Sequence, residues 1–153
     1  MCAIPVNSEF RRRRKANNRV RRFLEGWKLI RGIRGATTVE RDDAEEILSR
    51  TEELLLEISR ANGLEPEQMA SILFTMSPDL HAAFPAEAAR RIGWPYVPVI
   101  CMRELDVPKG LAKTIRVLMH AETPLSQARV KHVYQARAVA LREDLNDDVN
   151  LRG

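Results

Sequence analysis

KTIRVLMH, residues 113–120, decides how this chain is read. Ile115, Val117 and Met119 fall on one side and Thr114, Arg116 and Leu118 on the other, the period of a β-strand with one face against a core. An arginine in the middle of such a strand needs an anion, because an unpaired charge beside a core is costly. A neighbouring carboxylate or a bound ligand would serve, and the flanking sequence has to distinguish them.

Working outward, DVPKG is a turn, and residues 111–121 form a strand after it. YVPVICM, 96–102, is a further strand in which Pro98 marks an edge or bulge. MASILFTM, 69–76, is another, closed by the turn SPD. LIRGIRGATTV, 29–39, alternates apolar and polar residues, and its two glycines permit a close backbone approach. Between these last two, Asp42 or Asp43 caps a helix with acids in its first turn. Ile47, Leu48, Thr51, Leu54, Leu55 and Ile58 recur at helical spacing along it, and Asn62-Gly63 ends it. PAEAARRIG, 85–93, reads as a short helix opened by Pro85 and closed by Gly93. After Thr123-Pro124 the spacing predicts a second short helix over 126–134, then a fifth strand, ARAVALR, over 136–142.

The expected body is therefore α+β: about five strands in a mixed sheet, one long helix and two short ones. One long helix covers one face of such a sheet, so the other face calls for a partner subunit. At 153 residues the chain is one domain in length. Residues 1–26 read as a basic, disordered extension, 27–145 as the folded domain and 146–153 as a mobile tail.

Charge sharpens that division. Residues 1–28 hold nine basic side chains against two acidic ones, whereas the remainder holds sixteen against nineteen, so the net charge of +4 belongs to the arm. A like-charge block repels itself and stays open. Its basic run, 11–22, is the one hint of a nucleic-acid or anionic-surface contact. No aromatic interrupts the run before Phe23 and Trp27, which leaves a stacking surface unsupported. The favoured reading is an extension without a binding role, whose removal leaves activity unchanged. No apolar run reaches the ~20 residues of a membrane span. Two cysteines, Cys2 and Cys101, make no disulfide framework and no zinc spacing, which suits a reducing cytoplasm.

The conspicuous chemistry is arginine on strands: Arg34 in IRGIRG, Arg116 in KTIRVLM and Arg142 at the end of AVALR, with Arg90 on the short helix. One such arginine is usually a surface or paired residue. Three of them favour a shared anionic ligand, because guanidinium binds carboxylates in a planar, two-point way that lysine does not. There is no glycine-rich phosphate loop, no nucleophile elbow and no metal-ligand cluster. His81, His120 and His132 are scattered. Cys101 has no histidine base at local spacing, and a structural or hydrogen-bonding thiol is the simpler reading. Such a set positions an anion without passing protons or forming covalent bonds, and some rearrangements need nothing more.

IRGIRGATTVERD, SPDLHAAFPAEAAR, GWPYVPVICMRELDV, GLAKTIRVLMH and HVYQARAVALREDL, taken in order, resemble the small trimeric α+β class of chorismate mutase, distinct from the all-helical class. The resemblance runs from about residue 27 to 145. It implies a homotrimer packed into a pseudo-barrel, with active sites at subunit interfaces. It also implies conversion of chorismate to prephenate without a cofactor, on the way to phenylalanine and tyrosine. On this resemblance Arg116 serves the ether oxygen of the breaking bond, Glu104 in CMRELD accepts from the ring hydroxyl, and Arg34 holds a carboxylate. Phe84, Arg90, Cys101, Tyr134, Leu141 and Arg142 complete the pocket. Glu87 stands where some members carry lysine, and Ile100 where some carry a small polar residue. The alternative is a trimeric ligand-binding or imine-deaminase-like protein of similar shape. The Glu104/Arg116 pair is what separates the two.

Overall fold

The computed structural model describes residues 29–142. The basic arm and the acidic tail expected from the sequence lie outside the described residues. Five strands form one mixed sheet in the order β3-β2-β4-β1-β5: β1 (Leu29–Thr38), β2 (Met69–Met76), β3 (Val99–Arg103), β4 (Thr114–Thr123) and β5 (Val133–Tyr134). The central β4 runs antiparallel to both β1 and β2, while β3 and β5 lie parallel to their neighbours on the two edges. Helix α1 (Ala44–Asn62) and the single-turn helix α2 (Ala86–Arg91) complete the main elements, with 3-10 segments at Pro66–Gln68 and Ala136–Arg142. Among the described residues no helix is long and apolar enough to cross a membrane.

The long helix forms as its sequence dictates. Asp43 is the cap, its carboxylate accepting from the Glu46 N–H at 3.0 Å, and Gly63 ends the helix in the left-handed region at φ 60°. The apolar stripe Ile47, Leu48, Leu54, Leu55 and Ile58 is buried against the sheet. Full burial of each such side chain contributes about 1.5–3 kcal/mol. Gly35 sets the distance of approach: a Cβ there would lie 2.6 Å from Cδ1 of Ile58 and 3.2 Å from Cδ1 of Leu54. The helix therefore seats directly on the β1 backbone. Ile33, Ile72, Phe74, Val117 and Met119 fill the rest of this face.

The opposite face is the open one. Ile30, Ile100, Met102 and Leu118 lie on it, and Ile30 and Ile100 are 58% and 56% exposed. An exposed apolar sheet face of this kind is the surface expected to meet a partner.

The strongest departures from expectation lie at the C-terminal end. The helix expected over 126–134 is a single turn, with N–H groups of Arg129 and Val130 reaching the Ser126 carbonyl at 2.8 and 3.1 Å. Asn62 pulls the chain out of that turn. Its amide accepts from the Lys131 N–H and donates to the Lys131 carbonyl, both at 2.8 Å, which holds the segment extended and delivers it to the sheet edge as β5. The strand expected over 136–142 is instead the 3-10 segment. Ala136, at φ 49°, turns the chain directly after β5, and the Arg137 N–H then caps Thr38 Oγ1 at 3.2 Å. Strand β3 starts at Val99, not 96, because residues 95–97 turn. Strand β4 starts at Thr114, after Lys113 at φ 53°, and runs on to Thr123.

Candidate active site

Register places the polar side chains of the open face in rows. Tyr134, Ala36, Arg116, Thr75 and Met102 are successive cross-strand partners from β5 to β3. Arg34 is in the next row, paired with Leu118. Arg34 and Arg116 are thus diagonal neighbours on adjacent strands, with Cα atoms about 7–8 Å apart. Ala36, between Tyr134 and Arg116, is buried.

Glu104 answers the question posed by Arg116. It follows the end of β3, fixed by a 3.0 Å bond from its N–H to the Met76 carbonyl, and points to the same face as Arg116. Its Oε1 lies 2.6 Å from Arg116 Nε, and the same oxygen accepts from Thr75 Oγ1 at 2.7 Å. The carboxylate is 16% exposed and the guanidinium 35%. Arg34 is exposed, and its backbone N–H donates to Nδ1 of His132 at 3.0 Å. The Tyr134 hydroxyl is buried with no hydrogen-bond partner among the described residues. A buried hydroxyl left unpaired costs about 1–3 kcal/mol.

A second group of expected site residues lies elsewhere. Cys101 pairs with Phe74 and packs against the core on the helix side of the sheet. Burial pushes its thiol up from the ordinary range, against the opposing pull of the Ala86 N–H and the Arg90 charge. It is therefore a neutral thiol and not a poised nucleophile. Phe84, 72% exposed, and Cys101 line a depression of about 410 Å³ together with Met76, Leu80, His81 and Ala83. Arg116, Arg34 and Tyr134 do not line it. Arg90 is exposed on α2, and Leu141 and Arg142 close the last 3-10 segment. One chain therefore carries two groups of site residues: Arg34, Arg116, Glu104 and Tyr134 on the open face, and Phe84, Arg90 and Cys101 around the β3 edge. Among the described residues no three His, Cys, Asp or Glu side chains come together to hold a metal ion.

Two contributors escaped the sequence reading. Thr75 is the hydrogen-bond donor to Glu104, and its one signal was a polar residue on an apolar strand. Asp42 was one of two candidate caps. It instead accepts from the N–H groups of His81 and Ala82, both at 2.9 Å, and meets His81 Nδ1 at 2.8 Å, which ties down the loop carrying Phe84. Those bonds hold its carboxyl down at about 2.

Comparison with known proteins gives the family. The family described as Chorismate mutase type I matches residues 30–145. The chorismate mutase AroH of Bacillus subtilis is 53% identical over 119 residues, covering 77% of this chain and 94% of that protein. The chorismate mutase AroH of Thermus thermophilus is 51% identical over 118 residues, covering 76% and 97%. The solved structure of a chorismate mutase from Clostridium thermocellum superposes with a TM-score of 0.71 at 48% identity, covering 72% of this chain and 98% of that one. With the family match, these relatives and the α+β sheet in agreement, the chain belongs to the type I, AroH-class chorismate mutases.

Proposed function

We propose that the chain rearranges chorismate to prephenate at sites assembled between the subunits of a homotrimer, each site joining the open face of one chain to the β3 edge of another. As a member of its family the chain is an isomerase, an intramolecular transferase of aromatic amino acid biosynthesis. The observation that supports this placement is the division of the site residues. Arg116 and Cys101 project from opposite faces of one sheet, so they meet around a single small ligand only when they come from different chains. The exposed apolar residues of the open face supply the surface for that meeting. The proposal places the enzyme in the cytoplasm, where the Cys101 thiol stays reduced.

The chemistry follows from the charges. Chorismate carries two carboxylates, and Arg34 and Arg90 each present an exposed guanidinium to receive one. Breaking the C–O bond while the C–C bond forms moves negative charge onto the ether oxygen. Arg116, held in place by Glu104, meets that charge, and a fixed cation there favours the transition state over the ground state. Glu104 accepts from the ring hydroxyl and the Tyr134 hydroxyl completes the carboxylate site. Phe84 supplies an apolar wall and Leu141 and Arg142 complete the pocket, and holding a flexible substrate in its reactive conformer is the remaining share of catalysis. No proton has to leave and no covalent intermediate forms.

Purified protein mixed with chorismate should remove the diene absorbance of the substrate, and Arg116→Ala should lower kcat by about 10²–10³, the usual cost of one such donor. The variant should keep the oligomeric state of the parent in sedimentation. Normal turnover by Arg116→Ala would end this assignment of roles.

A further inference from the structure

We propose that Thr75 is a positioning residue for the rearrangement, acting through Glu104; this rests on the roles given to Glu104 and Arg116 above. Among the described residues the directional hydrogen bond on the Glu104 carboxylate is the one from Thr75 Oγ1, 2.7 Å to Oε1. Arg116 approaches the same oxygen, 2.6 Å from Nε. Both contacts fall on Oε1, and the proposal gives Oε2 to the substrate hydroxyl. Thr75 lies directly across from Arg116 in the β2–β4 register, so its hydroxyl is delivered by a rigid strand and not by a loop. Strand geometry also stiffens a β-branched side chain about χ1, which fixes the direction of the donor.

The bond has a second consequence. A carboxylate beside a guanidinium tends toward the two-point fork, in which both oxygens engage the cation. That arrangement would occupy Oε2, the acceptor given to the substrate hydroxyl. Thr75 opposes it by holding Oε1, so that Glu104 orients Arg116 and keeps its second oxygen for the substrate. Loss of the hydroxyl should therefore appear mainly in kcat, because the failing interaction is one made in the transition state.

The test is steady-state kinetics of the full chain on chorismate for Thr75→Val, Thr75→Ser, Glu104→Ala and the Thr75→Val/Glu104→Ala double variant, with thermal midpoint and oligomeric state measured alongside. Thr75→Val conserves volume and removes the donor. It should lower kcat about tenfold, as expected for a lost hydrogen bond to a charged group, with KM changed by less than about twofold. Thr75→Ser should recover most of the loss. In the Glu104→Ala background, Thr75→Val should have no further effect, since the residue it acts through is gone. If Thr75→Val does not fold, Thr75→Ala read against Thr75→Ser makes the same comparison. Wild-type kcat in Thr75→Val, or a defect that persists undiminished beside Glu104→Ala, would overturn the inference while leaving the Glu104 assignment intact. Wild-type kcat in Glu104→Ala would remove the assignment of Glu104 and the role of Thr75 with it.

Discussion

The open face of the sheet and the β3 edge carry the same number of arginine-or-thiol functions but hold them in different ways. On the open face, Arg116 and Thr75 stand on paired strands, and Glu104 is fixed at a strand end by its own N–H. Their geometry is complete before any ligand arrives. At the edge, Phe84 is on a loop and exposed, and its position depends on a clip from Asp42 in another loop. Strands hold the groups that must meet a developing charge, where small displacements cost rate. The loop holds the groups that enclose the substrate, where some give is useful for entry and release.

The sharpest way to break this comparison is to ask whether the two halves belong to one chain. Arg116→Ala disables the open face and Arg90→Ala disables the edge, and each homotrimer should be low in activity. Refolding the two together should restore about a quarter of the sites, because a random interface joins an intact open face to an intact edge that often. Turnover of a refolded mixture, compared with each variant refolded alone, reads this directly. No recovery, from mixtures shown to exchange subunits, would place both halves of the site in one chain.

How much of this was legible in the sequence depends on whether the deciding contact is local. Helix α1 was readable but for the choice between Asp42 and Asp43 as its cap, because its apolar stripe and its terminal glycine lie within the segment. Strands β1, β2 and β4 were readable because a buried face imposes its period. The segment from 126 to 142 was misread in both halves. In the first, Asn62, far away in sequence, takes both backbone groups of Lys131 and overrides the helical spacing. The alternating small residues of ARAVALR then imitate a strand, while a left-handed Ala136 coils them over the end of β1. The need of Arg116 for an anion was legible, and the family resemblance put Glu104 in the same site as acceptor of the ring hydroxyl, but its contact with Arg116 comes from the structure. The Thr75 bond was not legible, since only the register between β2 and β4 brings it there.

The edge should also be the more tolerant half toward a change of polar group. Cys101 is a neutral thiol that packs against the core, with no role as a nucleophile. Cys101→Ser keeps the shape and a donor, and should change kcat/KM by less than about tenfold, the cost of one imperfect hydrogen bond. A loss on the scale of Arg116→Ala would show that the edge participates in bond breaking and does more than enclose the substrate.

The smallest expected effect concerns the clip itself, and its sign can be worked out. The bonds from His81 and Ala82 lower the Asp42 carboxyl to about 2, below the ordinary aspartate value. A carboxylate whose folded value is depressed stabilises the folded chain above its unfolded value, about 3.9, and that contribution is lost as pH falls toward 2. Glu45, Glu46 and Asp79 are lowered too, so the wild type alone does not isolate the clip. The difference between wild type and Asp42→Asn does, because the amide has no charge to lose. The thermal midpoint of Asp42→Asn should lie below that of the wild type at pH 5, and the two should converge as pH approaches 2. Near neutral pH the variant should show a raised KM with kcat close to the parent, since the loop it frees carries Phe84 and not Arg116. A gap in midpoint that stays constant from pH 5 to pH 2 would mean that Asp42 acts through shape and not through its charge. A fall in kcat without a change in KM would mean that the loop and the strands are more tightly coupled than their separate anchors imply.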